Sequence, residues 1–416
     1  MDGFLVAAVD FGSERLSVSF GREETRQFNI VDTSSGVSRG IEKGFVRDRV
    51  KCIEDLRRVI EDLEEVANND EIDVYAGISA RGLRSVEIST SINSKDGKIR
   101  NEDIKRAIDR GKRNVVLDRD EEIVDVLINY YILDGKVIDE SPVNSIGSTL
   151  SLNITVIVGP VEELNLFRDV ISEAGYKFGG FLVNIIVAKQ VFIQGKSAIG
   201  LRALVDIGGG TSDLAIYENG ILKYIYSIPV GGNNITKDLS ICGEISLSEA
   251  EEFKKLYSNN YVTLNNDLVT DDEIESDDGK LSKTLFYEVA SARIEEIFKY
   301  VNLELKNTSF FDGICSIIIY GDGISYYEDV NDIVRNAIEK TVSVITKEKL
   351  GIEDSESISS LALTKEVYDR FKLINDDSLN YEEEIKLKEE YRENKEVEKE
   401  QRGLIKRLKS FLEGIF

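Results

Sequence analysis

One short pattern occurs twice in this chain, and it narrows the possible folds more than any other feature. The apolar run Phe4–Val9 breaks at Asp10-Phe11-Gly12-Ser13, and the apolar run Leu201–Val205 breaks at Asp206-Ile207-Gly208-Gly209-Gly210-Thr211-Ser212-Asp213. Each time the order is valine, acid, hydrophobic residue, glycine. A continuous apolar run of this length reads as a strand covered on both faces. Alternating or apolar segments resume at Leu16–Phe20 and Leu214–Tyr217, so each break reads as a hairpin turn. In the second copy Asn219-Gly220 signals a further hairpin, with a third strand over Ile221–Val230 that stops at Gly231-Gly232. In the first copy the next turn is expected at Gly21-Arg22-Glu23-Glu24. A repeated strand–turn–strand unit, one copy at the start and one near the middle, predicts a duplicated α/β protein of two lobes.

The other periodicities fill in the lobes. Val50, Ile53, Leu56, Ile60 and Leu63 predict an inward-facing helical stripe within Asp48–Val66, and Asp73–Ser79 reads as a strand. Between Arg81 and Pro160 the pattern changes. A helix over Asn101–Val116, with Ile104, Ala107, Ile108 and Val115 inward, precedes strands near Ile123–Leu133 and Leu150–Val158, as in an inserted α+β subdomain. Ser246–Leu256 and Lys283–Leu305 read as helices, Asn259–Lys280 as acidic loops and short strands, and Ile314–Tyr320 as a buried strand closed by Gly321-Asp322-Gly323. Helices are expected over Val330–Leu350 and Ser359–Leu373. The predicted organisation is a first-lobe core of residues 1–80, 160–200 and 356–374, an insert of 81–159, a second-lobe core of 201–232 and 308–355, and an outer subdomain of 233–307.

Composition removes whole classes of chemistry. The chain of 416 residues has 52 basic and 77 acidic side chains, a net charge of −25, which opposes general nucleic-acid binding. It contains no histidine, so His general bases, Ser–His or Cys–His pairs and His metal sites are excluded. Cys52, Cys242 and Cys315 are widely separated, without zinc spacing, and are expected as reduced, buried thiols. The N-terminus lacks a basic leader and cleavage site, and no apolar run reaches the ~20 residues of a membrane span. The expected compartment is the cytoplasm.

The two turns suggest a shared chemistry. A tight strand–strand turn aligns backbone N–H groups, and glycine lets a phosphate approach them. Gly12 and Ser13 from one lobe, and Gly208, Gly209, Gly210 and Thr211 from the other, are positioned by this reading to clamp phosphates. Asp10 and Asp206 end buried strands, where a carboxylate can hold a hydrated Mg²⁺; Asp213 either does the same or caps a turn. Other phosphate motifs fit poorly. There is no G-x-x-x-x-G-K-[ST], and the second turn leads into a strand rather than the helix of a dinucleotide fold.

The C-terminal region differs in kind. Residues 375–402 carry many more acids than bases and no apolar stripe, which reads as a solvated linker or a single charged helix. After Gly403, Leu404, Ile405, Leu408, Phe411, Leu412, Ile415 and Phe416 share one helical face, with Lys406, Arg407 and Lys409 on the rest. Two readings stand: a helix packed on the protein itself, or an interfacial helix on an anionic membrane. Each buried apolar side chain contributes up to ~1.5–3 kcal/mol, and each base about 1 kcal/mol near such a surface.

The two turn motifs resemble the phosphate motifs of actin-like ATPases. Within that superfamily Asn101-Glu-Asp-Ile-Lys-Arg-Ala-Ile-Asp, Val126-Leu-Ile-Asn-Tyr-Tyr-Ile-Leu-Asp-Gly, Ile228-Pro-Val-Gly-Gly-Asn-Asn-Ile-Thr-Lys-Asp-Leu, Ser248-Glu-Ala-Glu-Glu-Phe-Lys and the tail from Gly403 resemble segments of the FtsA family of bacterial division proteins, over nearly the whole chain. The resemblance implies a duplicated, ribonuclease H-like fold that holds ATP and Mg²⁺ between the lobes. It implies phosphate contacts from Gly12, Ser13, Gly208 to Thr211 and Gly232, with Mg²⁺ organised by Asp10 and Asp206. It places Glu251 and Lys254 at the ribose or adenine, and i,i+3 side chains do project together. The third motif, Gly-Gly-Gly-Ala in the family, here reads Gly321-Asp322-Gly323-Ile324, which sets a carboxylate near the triphosphate. Where relatives place an acid to orient the attacking water, this chain has Asn184, or Gln190, whose amides cannot take a proton. Hydrolysis is therefore expected to be slow. The resemblance further implies self-assembly into filaments and membrane attachment through residues 404–416. It implies capture of the C-terminal peptide of the tubulin-like FtsZ, and recruitment of late division proteins by the insert. Alternatives on the residues alone are a pilus-assembly relative or a small-molecule kinase of the same fold.

Overall fold

A computed structural model describes residues 5–24, 27–61, 63, 72–193, 198–257, 273–275, 280–324, 327, 330–345 and 362–370. The expected linker (375–402) and amphipathic helix (403–416) lie outside these residues, as does most of the acidic stretch 259–280.

The repeat seen in the sequence is carried through both main sheets. In the first lobe, β1 (Leu5–Phe11) pairs antiparallel with β2 (Arg15–Glu24), which pairs with β3 (Gln27–Val37). After the short β4 (Ile41–Glu42) and β5 (Phe45–Val46) and helix α1 (Arg49–Glu61) comes β6 (Asp73–Ile78), parallel to β1. The sheet order ends with β11 (Lys177–Val183), parallel to β6. In the second lobe β12 (Leu201–Ile207), β13 (Ser212–Glu218) and β14 (Ile221–Ile228) repeat the antiparallel meander. β17 (Ile314–Tyr320) and β18 (Val342–Val344) then add in parallel. The strand orders β11-β6-β1-β2-β3 and β18-β17-β12-β13-β14 match position for position.

The intervening segment supplies β7 (Arg84–Asn93), β8 (Glu121–Leu133), β9 (Lys136–Ile138) and β10 (Thr149–Pro160), which form their own sheet in the order β7-β10-β8-β9. Helix α2 (Asn101–Arg113) lies close on it: a Cβ at Gly111 would meet Ile154 Cδ1 at 2.5 Å. The chain divides into two compact units, and the second is built from Glu87–Val116 and Val126–Val156.

Helix α3 (Val161–Ala174) ends at Gly175, whose left-handed φ of 101° closes it. Two short helices follow at Asn184–Val187 (α4) and Lys189–Phe192 (α5). In the second lobe α6 (Gly232–Gly243), α7 (Leu247–Tyr257) and α8 (Lys283–Asn307) share one apolar core with the sheet, through Ile235, Leu239, Phe253, Phe286, Ile294 and Phe298 against Val205, Leu214 and Ile317. The hairpin β15 (Glu273–Glu275) and β16 (Lys280–Ser282) precedes α8, and α9 (Asn331–Ala337) precedes β18. A further helix, residues 362–370 (α10), sets Leu363 and Val367 against Val6, Ala8, Leu182 and Val187. No helix among the described residues is long and apolar enough to cross a membrane.

Four expectations are corrected. The turn expected at Gly21–Glu24 is strand, because an irregularity between Phe20 and Gly21 lets β2 run on to Glu24 opposite Gln27. The expected helix Val330–Leu350 stops at Ala337, and the β-branched run that follows joins the sheet as β18. Val50 is exposed; α1 turns Cys52, Asp55, Leu56, Val59 and Ile60 inward instead. Only Cys52 is a buried thiol; Cys242 and Cys315 are exposed, and all three are free.

Candidate functional site

Both duplicated hairpins place their turns at one cleft. The strand registers Phe11↔Leu16 and Ile207↔Ser212 leave loops of equal length, residues 12–15 and 208–211. They line a cleft that is partly open to solvent, together with Asp10, Ser79, Asn184, Phe192, Asp206, Asp213, Tyr320, Gly321 and Asp322. Glycine is required at several of these positions by close approach. A Cβ on Gly12 would lie 2.4 Å from the Arg15 carbonyl oxygen, and one on Gly210 would lie 2.5 Å from Ser13 Oγ of the opposite lobe. The two turns thus touch. Ser13 Oγ also accepts from the Gly44 N–H at 3.1 Å.

Gly232 and Gly323 act differently from Gly208 to Gly210. Neither lines the cavity. The Gly232 N–H donates to the Gly208 carbonyl at 2.9 Å, and the Gly323 N–H donates to that of Ile207 at 2.8 Å. Their N–H groups brace the second turn from behind. Gly321, in contrast, lines the cavity at φ 112°, and a Cβ there would lie 2.3 Å from Asp206 Oδ1.

The cleft is rich in carboxylates. Asp10 and Asp206 occupy equivalent registers, opposite Ser17 and Asp213. Burial pushes the Asp10 carboxyl up to about 7, with Asp322 and Asp213 adding repulsion, although Asn184 Nδ2 donates to its Oδ1 at 2.7 Å. Burial first, then Asp213, Asp10 and Asp322, push Asp206 well above the carboxylate range. Asp213 is the best satisfied of the group. It accepts from Ser227 Oγ at 2.5 Å, Ser79 Oγ at 2.9 Å and the Ala80 N–H at 2.9 Å, so its partners span both lobes. No cluster of three or more Asp, Glu or Cys side chains among the described residues is arranged to hold a metal directly.

Glu251 and Lys254 pair as their spacing predicts, at 2.7 Å, but Lys254 is fully buried and neither lines the cavity. Lys254 Nζ also donates to Thr236 Oγ1 at 3.0 Å. Burial raises the Glu251 carboxyl, yet Lys254 and the Thr236 hydroxyl outweigh it and hold the group at about 2. Gln190 sits within α5 and does not line the cavity, whereas Asn184 does; its buried Oδ1 makes no hydrogen bond within the protein. Sequence reasoning missed Ser79, Glu14 and Lys255. Ser79 was detectable as the residue just past a strand that runs parallel to β1; no local signal marks the Glu14–Lys255 pairing.

Two five-stranded sheets of identical strand order, each presenting a glycine turn and an aspartate to one cleft, define an actin-like ATPase fold. Solved structures agree. The PilM-PilN type IV pilus biogenesis complex is similar at a TM-score of 0.56 and 11% identity, covering 89% of this chain and 98% of that one. MreB5 of Spiroplasma citri bound to ADP is similar at 0.50 and 12%, covering 90% and 99%. Residues 203–363 match the family described as Cell division protein FtsA, and residues 81–158 match the SHS2 domain inserted in FTSA. Cell division protein FtsA of Neisseria meningitidis is 26% identical over 352 residues, 83% of this chain and 84% of that protein. That of Bacillus subtilis is 25% identical over 369 residues, 86% and 82% respectively. The chain belongs to the FtsA family of cell division proteins.

Proposed function

We propose that this protein binds ATP with Mg²⁺ in the cleft and links a division filament to the membrane. The observation that carries the reading is the pair of equal-length loops, 12–15 and 208–211, facing each other across one cavity. Their backbone N–H groups suit phosphate oxygens. Among the described residues the cavity lining holds Asp10, Glu14, Asp206, Asp213 and Asp322 beside Arg15, so a triphosphate needs a metal ion to enter. Mg²⁺ keeps several of its waters and takes one or two carboxylates plus phosphate. Asp10 and Asp206 are the residues to hold it, and the ion would neutralise phosphate charge. Asn184 is placed to orient a water with its unpartnered Oδ1 but cannot accept the proton, so turnover is slow.

Calorimetry with ATP and Mg²⁺ tests this: uptake by the native chain and its loss in Asp206→Ala are expected. No heat at millimolar ligand refutes it. In the same reading the outer subdomain, residues 233–307, takes the FtsZ C-terminal peptide. The insert meets late division proteins, and copies assemble through the lobes. Residues 404–416 lie on the inner face of the cell membrane. Liposome sedimentation of the full chain against one ending at Arg402 tests the anchor, and equal binding by both would remove it.

A further inference from the structure

We propose that Glu14 is a built-in competitor of the nucleotide phosphates: its carboxylate lies against the second glycine turn and holds Lys255, which passes to the incoming phosphate when Glu14 is displaced. The inference rests on the nucleotide reading above. Glu14 belongs to the first lobe's loop, yet its side chain crosses the cleft. A Cβ on Gly209 would lie 2.8 Å from Glu14 Cβ and 3.1 Å from its Oε2, so the carboxylate lies beside the backbone that suits a phosphate. Glu14 Oε1 pairs with Lys255 Nζ at 3.0 Å, and Lys255 also pairs with Glu251 Oε1 at 3.1 Å. An anion thus already lies at a turn suited to anions, matched to a cation from α7.

The contact is built to be broken. Burial raises the Glu14 carboxyl and Glu251 repels it, against attraction from Lys254 and Lys255. The Glu14–Lys255 pair is partly exposed, at 21% and 36%, and pairs of that exposure are weak. A magnesium triphosphate brings more anionic oxygens to Lys255 than one carboxylate does. Lys255 keeps Glu251 as an anchor throughout, so its ammonium does not have to travel far.

The test is ATP·Mg²⁺ affinity by calorimetry in the native chain, Glu14→Gln, Glu14→Ser and Lys255→Met. Removing the competing charge is expected to tighten binding about tenfold in both Glu14 variants, that is, by about 1.4 kcal/mol. Lys255→Met is expected to weaken it. Unchanged or weaker binding in the Glu14 variants, beside normal binding by the native chain, overturns the competitor and leaves the nucleotide reading standing. Native affinity in Lys255→Met overturns the hand-over. Absence of binding in every protein overturns both the nucleotide reading and the inference built on it.

Discussion

Replacing Gly77 with alanine adds one methyl group where the buried Leu363 and the half-buried Asn184 already crowd the strand. A Cβ at this position lies 2.4 Å from Leu363 Cδ1 and 2.5 Å from Asn184 Oδ1. Gly77 pairs with Asp10 on one side and Leu182 on the other, and its φ is not in the left-handed region. The backbone therefore tolerates alanine, and the whole cost is steric. Leu363 is 1% exposed and is held among Val6, Ala8, Leu182, Val187 and Val367, so it has little room to rotate. Overpacking of this kind costs about 1–3 kcal/mol. Leu363→Ala alone leaves a cavity and costs about 2–5 kcal/mol. In the double variant the new methyl fills part of that cavity. The two changes should then couple favourably by about 0.5–3 kcal/mol in a double-mutant cycle of urea unfolding. If Gly77→Ala unfolds at the same urea concentration as the parent, or the cycle is strictly additive, the packing of α10 against β6 and Asn184 is not as described. The same variant is expected to weaken ATP·Mg²⁺ binding, because Asn184 cannot yield to the methyl without disturbing its bond to Asp10.

Two further outcomes can be checked on the purified chain. Glu251→Ala strips the fully buried Lys254 of its carboxylate and should cost about 3–5 kcal/mol in chemical denaturation, most of it recovered in Glu251→Ala/Lys254→Met; equal stability of the single and double variants would refute the pairing. Burial pushes the Cys52 thiol up to about 12, so at pH 8 a disulfide-exchange reagent should titrate Cys242 and Cys315 in the native state and Cys52 only on unfolding; three fast thiols would contradict the burial of α1.

The legible parts of the fold are those whose signal is local. β1, β12 and β17 are short, mostly apolar runs, and a strand buried on both faces leaves that record in sequence. β18 left a weaker one, since Val342-Ser343-Val344 is brief and follows a helix. Its signal lay in the repeat: once β1, β2 and β6 have counterparts in β12, β13 and β17, β11 demands a fifth strand after β17. Helical periodicity over Val330–Leu350 carries no trace of that symmetry, which places a strand at Val342–Val344.

The candidate site divides along a different line. Asp10, Gly12, Ser13, Asp206 and Gly208 to Thr211 were found because each motif is contiguous and returns in the other lobe. Asp213 was seen as a ligand or a cap, whereas it accepts hydrogen bonds from Ser79 and Ala80 of the other lobe. Glu14 lies outside both motif readings, and its partner Lys255 stands across the cleft. The resemblance assigns Gly232 to the phosphates, whereas the N–H groups of Gly232 and Gly323 are spent on the Gly208 and Ile207 carbonyls. In each case the deciding partner is far away in sequence, and no window or spacing rule samples it. The same fact has a consequence for how the cleft works. Because Asp213 with Ser79, Glu14 with Lys255 and Gly210 with Ser13 all bridge the lobes, a ligand that enters between the turns must exchange several interlobe contacts at once. Occupancy of the cleft and the relative position of the lobes are then one equilibrium, so a ligand shifts the lobes only by the difference in its affinity for the two arrangements.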